Sequence, residues 1–198
     1  SCNAPSRMLV PRKHLATVEA IAQAVAAQVV VGDPSNPAVG MGPQANQNQW
    51  RRTQSLIEKG IAEGAKVVCG GPGRPDGLTS GYYTRPTVFS DVRNDMTIAR
   101  EEIFGPVLCV IPAADESDAV AIANDSPYGL NASVFTGDID RAYAVARRLR
   151  SGTVGHNAYR TDMSIAFGGF KQSGIGREGG VEGLMPYLEA KTLLLEAM

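Results

Sequence analysis

Two kinds of apolar pattern alternate along this chain, and the alternation restricts its fold more than any other feature. Residues 13–31 set Leu15, Val18, Ile21, Ala22, Val25 and Val29 on one helical face. Residues 46–63 repeat the pattern with Trp50, Leu56, Ile57 and Ile61, and Gly64 supplies a left-handed stop. Between and after them stand runs too short and too β-branched for helices: 65–69, an extended segment through Tyr82, Tyr83, Thr87, Val88 and Phe89, and 107–111. A helix is expected over 116–123, a strand over 131–136, an amphipathic helix over 138–150 and a strand start over 152–155. Turn formers punctuate the pattern at 32–37, and at 70–81 with five glycines and two prolines. Strands alternating with helices predict an α/β fold with a largely parallel sheet flanked by helices.

A length of 198 residues at 43% apolar content suffices for one sizeable core. The 19 basic and 20 acidic residues are dispersed and leave a net charge of -1, so no electrostatic footprint for nucleic acid exists. No run approaches the roughly 18 apolar residues of a membrane span, and residues 1–12 lack the apolar middle of a secretory signal. These features predict a soluble, cytoplasmic protein. Three cysteines, Cys2, Cys69 and Cys109, and two histidines, His14 and His156, have the spacing of neither a disulfide framework nor a metal site, so no metal is expected. Cys69 and Cys109 interrupt apolar runs and read as small buried hydrophobes, whereas Cys2 taken alone is a terminal thiol.

Residues 174–179 match the spacing G-x-G-x-x-G, but only 19 residues follow Gly179, too few for the helix, second strand and acidic residue of a dinucleotide-binding unit. The stretch reads instead as a tight backbone turn beside a packed site.

Four stretches, Cys2-Asn3-Ala4-Pro5-Ser6-Arg7, Glu101-Glu102-Ile103-Phe104-Gly105-Pro106-Val107, Pro127-Tyr128-Gly129-Leu130 and Gly168-Gly169-Phe170-Lys171-Gln172-Ser173-Gly174, stand in an order that resembles the aldehyde dehydrogenase superfamily over essentially the whole chain. The resemblance implies a catalytic α/β domain at 1–184 and an oligomerisation strand at 185–198, with the strand character in 186–195, and hence a homo-oligomer. It implies oxidation of a small-molecule aldehyde to an acid with NAD or NADP, through covalent attachment to a cysteine. Cys2 then matches the nucleophile. Glu102 matches the glutamate that holds the nicotinamide-side ribose, and Phe104 the aromatic that packs beside it; without the resemblance they read as a loop carboxylate and a core phenylalanine. Gln49 and Arg52 fall near positions that reach the cofactor ribose, and equally suit the solvated face of an amphipathic helix. Phe167 matches an aromatic of the substrate channel, or is ordinary core. His156 is expected to be a hydrogen-bonded structural imidazole. In the family a cofactor domain precedes the nucleophile and supplies the phosphate loop, the oxyanion asparagine and the deacylating base, so this chain is expected to be inactive alone. Two rival readings stay open: an interaction module that keeps the fold without the chemistry, and a reductase relative that runs thioester chemistry backward.

Overall fold

The computed structural model describes residues 1–159, 162 and 164–196, and these divide into two compact units between Ser126 and Pro127. The expected division at 184/185 thus falls inside the second unit.

The first unit is built on a four-stranded sheet in the order β1-β4-β3-β2, comprising β1 (Arg7–Pro11), β2 (Lys66–Cys69), β3 (Thr87–Ser90) and β4 (Val107–Ala113). β1 and β3 run parallel to the central β4, and β2 closes one edge antiparallel to β3. The run predicted at 107–111 is the middle of the sheet because both its faces are covered. Cys109 and Ile111 enter one cluster with Phe89, Ile57, Ile98 and Ile103. Val110 enters the other with Val10 and Val88, against which Leu15, Val18 and Ala22 pack.

Those last three residues belong to α1 (Leu15–Ala27), which is shorter than the predicted 13–31. A single 3-10 turn, Arg12–His14, precedes it, and Val31 leaves the helical pattern to bridge Met41. α2 (Gln47–Ala62) lies close to expectation. The Asn46 side chain caps it by accepting from the Gln49 amide at 2.9 Å, and Gly64 ends it at φ +89°. Gly60 lets this helix approach the sheet, since a Cβ there would lie 2.8 Å from Ile98 Cδ1 and 3.2 Å from Phe89 Cζ. Two short helices complete the unit, α3 (Thr97–Arg100) and α4 (Glu116–Asn124).

In the second unit, β5 (Tyr128–Gly129) pairs antiparallel with β8 (Phe170–Lys171), while β6 (Asn131–Val134) pairs parallel with β7 (Thr153–His156). α5 (Ile139–Ala146) makes the crossover from β6 to β7, capped by Asp138, whose carboxylate accepts from the Asp140 and Arg141 amides. It stops short of the predicted 150. α6 (Gly180–Leu184) and a 3-10 turn, Met185–Tyr187, follow. Residues 188–196 form neither helix nor strand and are exposed. A strand there would need a partner, and none of the described strands pairs with it. Gly174, Gly176 and Gly179 all take positive φ, at 121°, 80° and 66°, as a tight turn requires. Among the described residues no helix is long and apolar enough to cross a membrane.

Candidate active site

Cys2 lies in a turn that the Ala4 amide closes by donating to the Ser1 carbonyl at 3.2 Å. Asn3, the next residue, is buried and accepts from the Ser1 hydroxyl, which leaves the Cys2 thiol on the exposed side. The turn runs into β1, whose Arg7 registers with Cys109 on β4, and the Cys109 amide donates to the Ser6 carbonyl at 2.9 Å. Arg7 fixes the same segment from the side, donating to the Ile122 carbonyl at 2.8 Å and to the Asn94 side chain. Burial, and then the nearby Arg100, hold its guanidinium pKa below the ordinary value. The nucleophile candidate therefore stands on an exposed turn with a rigid strand immediately behind it.

The other two thiols are withdrawn. Cys109 is 1% exposed, donates to the Ile98 carbonyl at 3.4 Å, and is pushed by burial up to about 12. Cys69 sits on the edge strand β2 and is half-buried, so it is less enclosed than its apolar neighbours in sequence suggested; burial raises its pKa as well. A thiol must ionise to attack, and a site that suppresses ionisation makes a structural cysteine.

Glu102 and Phe104 lie on the loop between α3 and β4. Both side chains are exposed, and the Phe104 ring remains 53% accessible, so it is no core residue. Its backbone is held at φ +53°, a conformation that costs a bulky residue roughly 1–3 kcal/mol. α2 opposes that cost. The Gln49 side-chain amide donates to the carbonyls of Ile103 at 2.9 Å and Phe104 at 3.0 Å. Arg52 donates to the Glu102 carbonyl and to the Glu101 carboxylate, each at 3.1 Å. Gly105 rests on Thr53, where a Cβ would come within 2.7 Å of the threonine side chain. Gln49 and Arg52 thus meet the predicted Glu102 and Phe104, but through the loop's backbone and Glu101.

Thr53, a buried helix threonine that carries no signal of its own in the sequence, meets Gln44. They are linked by a 2.7 Å hydrogen bond, and Thr84 in turn donates to Gln44 at 2.8 Å. Asn46 was legible in principle as a helix cap, with Gln49 three residues later in the place that a capping box gives to glutamine.

Phe167 lies in the second unit, half-buried, in a bridge with Glu178 whose two backbone bonds measure 2.7 Å. His156 Nε2 lies 2.9 Å from the Thr136 carbonyl oxygen and 3.0 Å from the Asn157 side-chain Nδ2, the bonded imidazole that was expected. Within 159–165, a stretch that by the family resemblance varies with substrate, residues 160, 161 and 163 lie outside the described residues. Among the described residues, no group of three or more His, Cys, Asp or Glu side chains could hold a metal.

Comparison with known proteins agrees with the motifs. The model of the aldehyde dehydrogenase family matches residues 1–193. The chain is 52% identical over 194 residues to a 3-succinoylsemialdehyde-pyridine dehydrogenase of a Pseudomonas species, covering 98% of this chain and 41% of that protein. It is 49% identical over 172 residues to the betaine aldehyde dehydrogenase of Brucella anthropi, covering 85% of this chain and 35% of that one. Among solved structures, a mutant of aldehyde dehydrogenase C from Pseudomonas syringae, complexed with NAD+ and octanal, superposes with a TM-score of 0.93 at 54% identity, over 96% of this chain and 39% of that one. The Mycobacterium tuberculosis aldehyde dehydrogenase complexed with NAD+ gives 0.96 at 47% identity, over 99% and 40%. The chain therefore spans about two fifths of the length of these enzymes. On the match over 1–193 and these identities, the chain belongs to the aldehyde dehydrogenase family.

Proposed function

We propose that these 198 residues are the nucleophile-bearing segment of an NAD(P)-dependent aldehyde dehydrogenase, which oxidises an aldehyde to a carboxylic acid. The observation that carries this reading is the contrast between thiols: Cys2 exposed on a braced turn, Cys109 enclosed in the sheet. The Cys2 thiol adds across the aldehyde carbonyl, sulfur to carbon and proton to oxygen, giving a thiohemiacetal; loss of hydride from that carbon and of the hydroxyl proton to water leaves a thioester, and water cleaves it to the acid and the free thiol. NAD(P), when bound, supplies the hydride acceptor.

The Glu101–Pro106 loop carries side chains of the kinds that could hold that cofactor's sugar and ring. An exposed carboxylate able to take two hydrogen bonds, Glu102, stands two residues from an exposed aromatic, Phe104, on a backbone held in place by α2. The solved NAD+ complexes of the relatives support the same cofactor class here. Phe167 keeps a substrate-side role as a proposal from the resemblance. Leu188, Leu193, Leu194 and Leu195, exposed in the C-terminal run, support its proposed use as an oligomerisation strand between copies.

Nicotinamide absorbance tests the reading. The full-length protein carrying this segment is expected to reduce NAD(P) with aldehydes, and the 198-residue chain alone is not, because it spans only about two fifths of its relatives. Robust turnover by the isolated chain would overturn the second expectation, and a full-length protein inert toward every aldehyde class the first. Within an active full-length protein, Glu102→Gln is expected to slow the hydride step by about 10²-fold through lost orientation, while the capture of aldehyde by Cys2 continues. An unchanged single-turnover hydride rate removes Glu102 from the site.

A further inference from the structure

The α2 residues Gln49 and Arg52 present their donors to the loop that carries Glu102 and Phe104. Gln49 has two side-chain amide hydrogens, and the two short contacts to the Ile103 and Phe104 carbonyls occupy both. Arg52 divides its contacts between the Glu102 carbonyl and the Glu101 carboxylate. The acceptors are consecutive along the loop, and one of them belongs to the residue whose backbone is left-handed. The side on which α2 meets this loop is itself fixed: Asn46 caps the first turn, Thr53 packs under Gly105, and Gln44 holds Thr53.

We propose that Gln49 and Arg52 are positioning residues, which set the aim of Glu102 and Phe104 by gripping the backbone between them and do so before any cofactor arrives. This rests on the reading above that Glu102 and Phe104 meet the nicotinamide half of the cofactor. Its consequence is chemical. A residue that grips carbonyls must be a donor, whereas a residue that holds a ribose hydroxyl can serve as an acceptor. Gln49→Glu separates the two roles, since it preserves shape and acceptor capacity but replaces two donated bonds with a carboxylate facing two carbonyl oxygens. A carboxylate set against these carbonyl oxygens adds repulsion between like partial charges to the loss of the two bonds, and so costs more than deleting the side chain.

The experiment uses the full-length protein with Gln49→Glu and Gln49→Ala. Single-turnover hydride transfer is expected to fall about tenfold in Gln49→Ala and further, about 10²-fold, in Gln49→Glu. Without cofactor, hydrogen exchange over 101–106 is expected to quicken about tenfold in Gln49→Ala, because the loop is freed while α2 stays folded. A Gln49→Glu protein that transfers hydride within about twofold of the parent, or loop exchange that Gln49→Ala leaves unchanged, overturns the proposal. Should the unmutated protein reduce no NAD(P) with any aldehyde, the functional reading fails, and exchange over 101–106 still decides whether Gln49 holds the loop.

Discussion

Replacing Cys2 with serine in the full-length protein is expected to abolish aldehyde oxidation and ester hydrolysis together, each by on the order of 10³-fold or more. The joint loss matters more than its size. Both reactions require the same covalent acyl adduct, although only one requires a hydride acceptor, so a residue that merely shapes the aldehyde pocket would not suppress both to the same background. Serine keeps the size and the hydrogen-bonding capacity of the side chain on a turn closed by Ser1 and Ala4, which makes collapse of the turn a poor alternative explanation. It lacks the ready ionisation of a thiol near neutral pH. The two reactions are measured by nicotinamide absorbance and by release of a chromogenic alcohol from an ester. If either survives within about tenfold of the parent, Cys2 is not the nucleophile.

The sheet was legible because its middle strand is apolar on both faces: Val107, Leu108, Cys109, Val110 and Ile111 form a run that only a doubly covered strand needs. β1 was not legible. Arg7 and Pro11 bracket Met8, Leu9 and Val10, and so short a run, carrying the charge of a residue that turns out to be withdrawn among backbone and Asn94 partners, shows no period of its own. Its pairing with β4 is a tertiary fact. Helix ends were overestimated: Val29 keeps the helical spacing of α1 but stands exposed beyond its last turn, and past Ala146 the chain of α5 tightens into turns in which the Arg148 and Leu149 amides donate to the Val145 and Ala146 carbonyls.

The site divides likewise. Cys2, Glu102 and Phe104 came from motif resemblance, and no periodicity could have supplied them. Phe104 in particular reads as core by composition, yet its ring stays in the open on a backbone at φ +53°. Gln49 and Arg52 were identified as residues near the cofactor, but their contacts with backbone carbonyls follow from the approach of α2 to a loop about fifty positions away, which sequence spacing does not encode.

The order in which the three thiols react with an alkylating agent tests fold and site at once. In the folded chain at neutral pH, Cys2 is expected to be labelled first by substoichiometric iodoacetamide, Cys69 more slowly, and Cys109 last. Two factors multiply for Cys109. Its side chain is 1% exposed, so reagent must wait for an opening of the sheet. Its pKa is raised by burial to about 12 from an ordinary value near 9, which by itself cuts the reactive thiolate fraction by about 10³-fold at neutral pH. Cys69 has only the weaker form of each, being half-buried on an edge strand with a pKa raised by a lesser burial. The sign also fixes a stability trend. Because the fold favours the neutral thiol of Cys109, the stability linked to it is fully present below the ordinary value near 9 and is lost as pH climbs from there toward 12. The thiol should therefore become reactive as the sheet loosens in alkali, and not through ionisation in place. Peptide mass spectrometry of the folded chain, set against a urea-unfolded control in which the three should level, gives the measurement. Labelling of Cys109 at a rate near that of Cys2 in the folded chain would contradict the central placement of β4, and with it the strand on which the nucleophile's turn is braced.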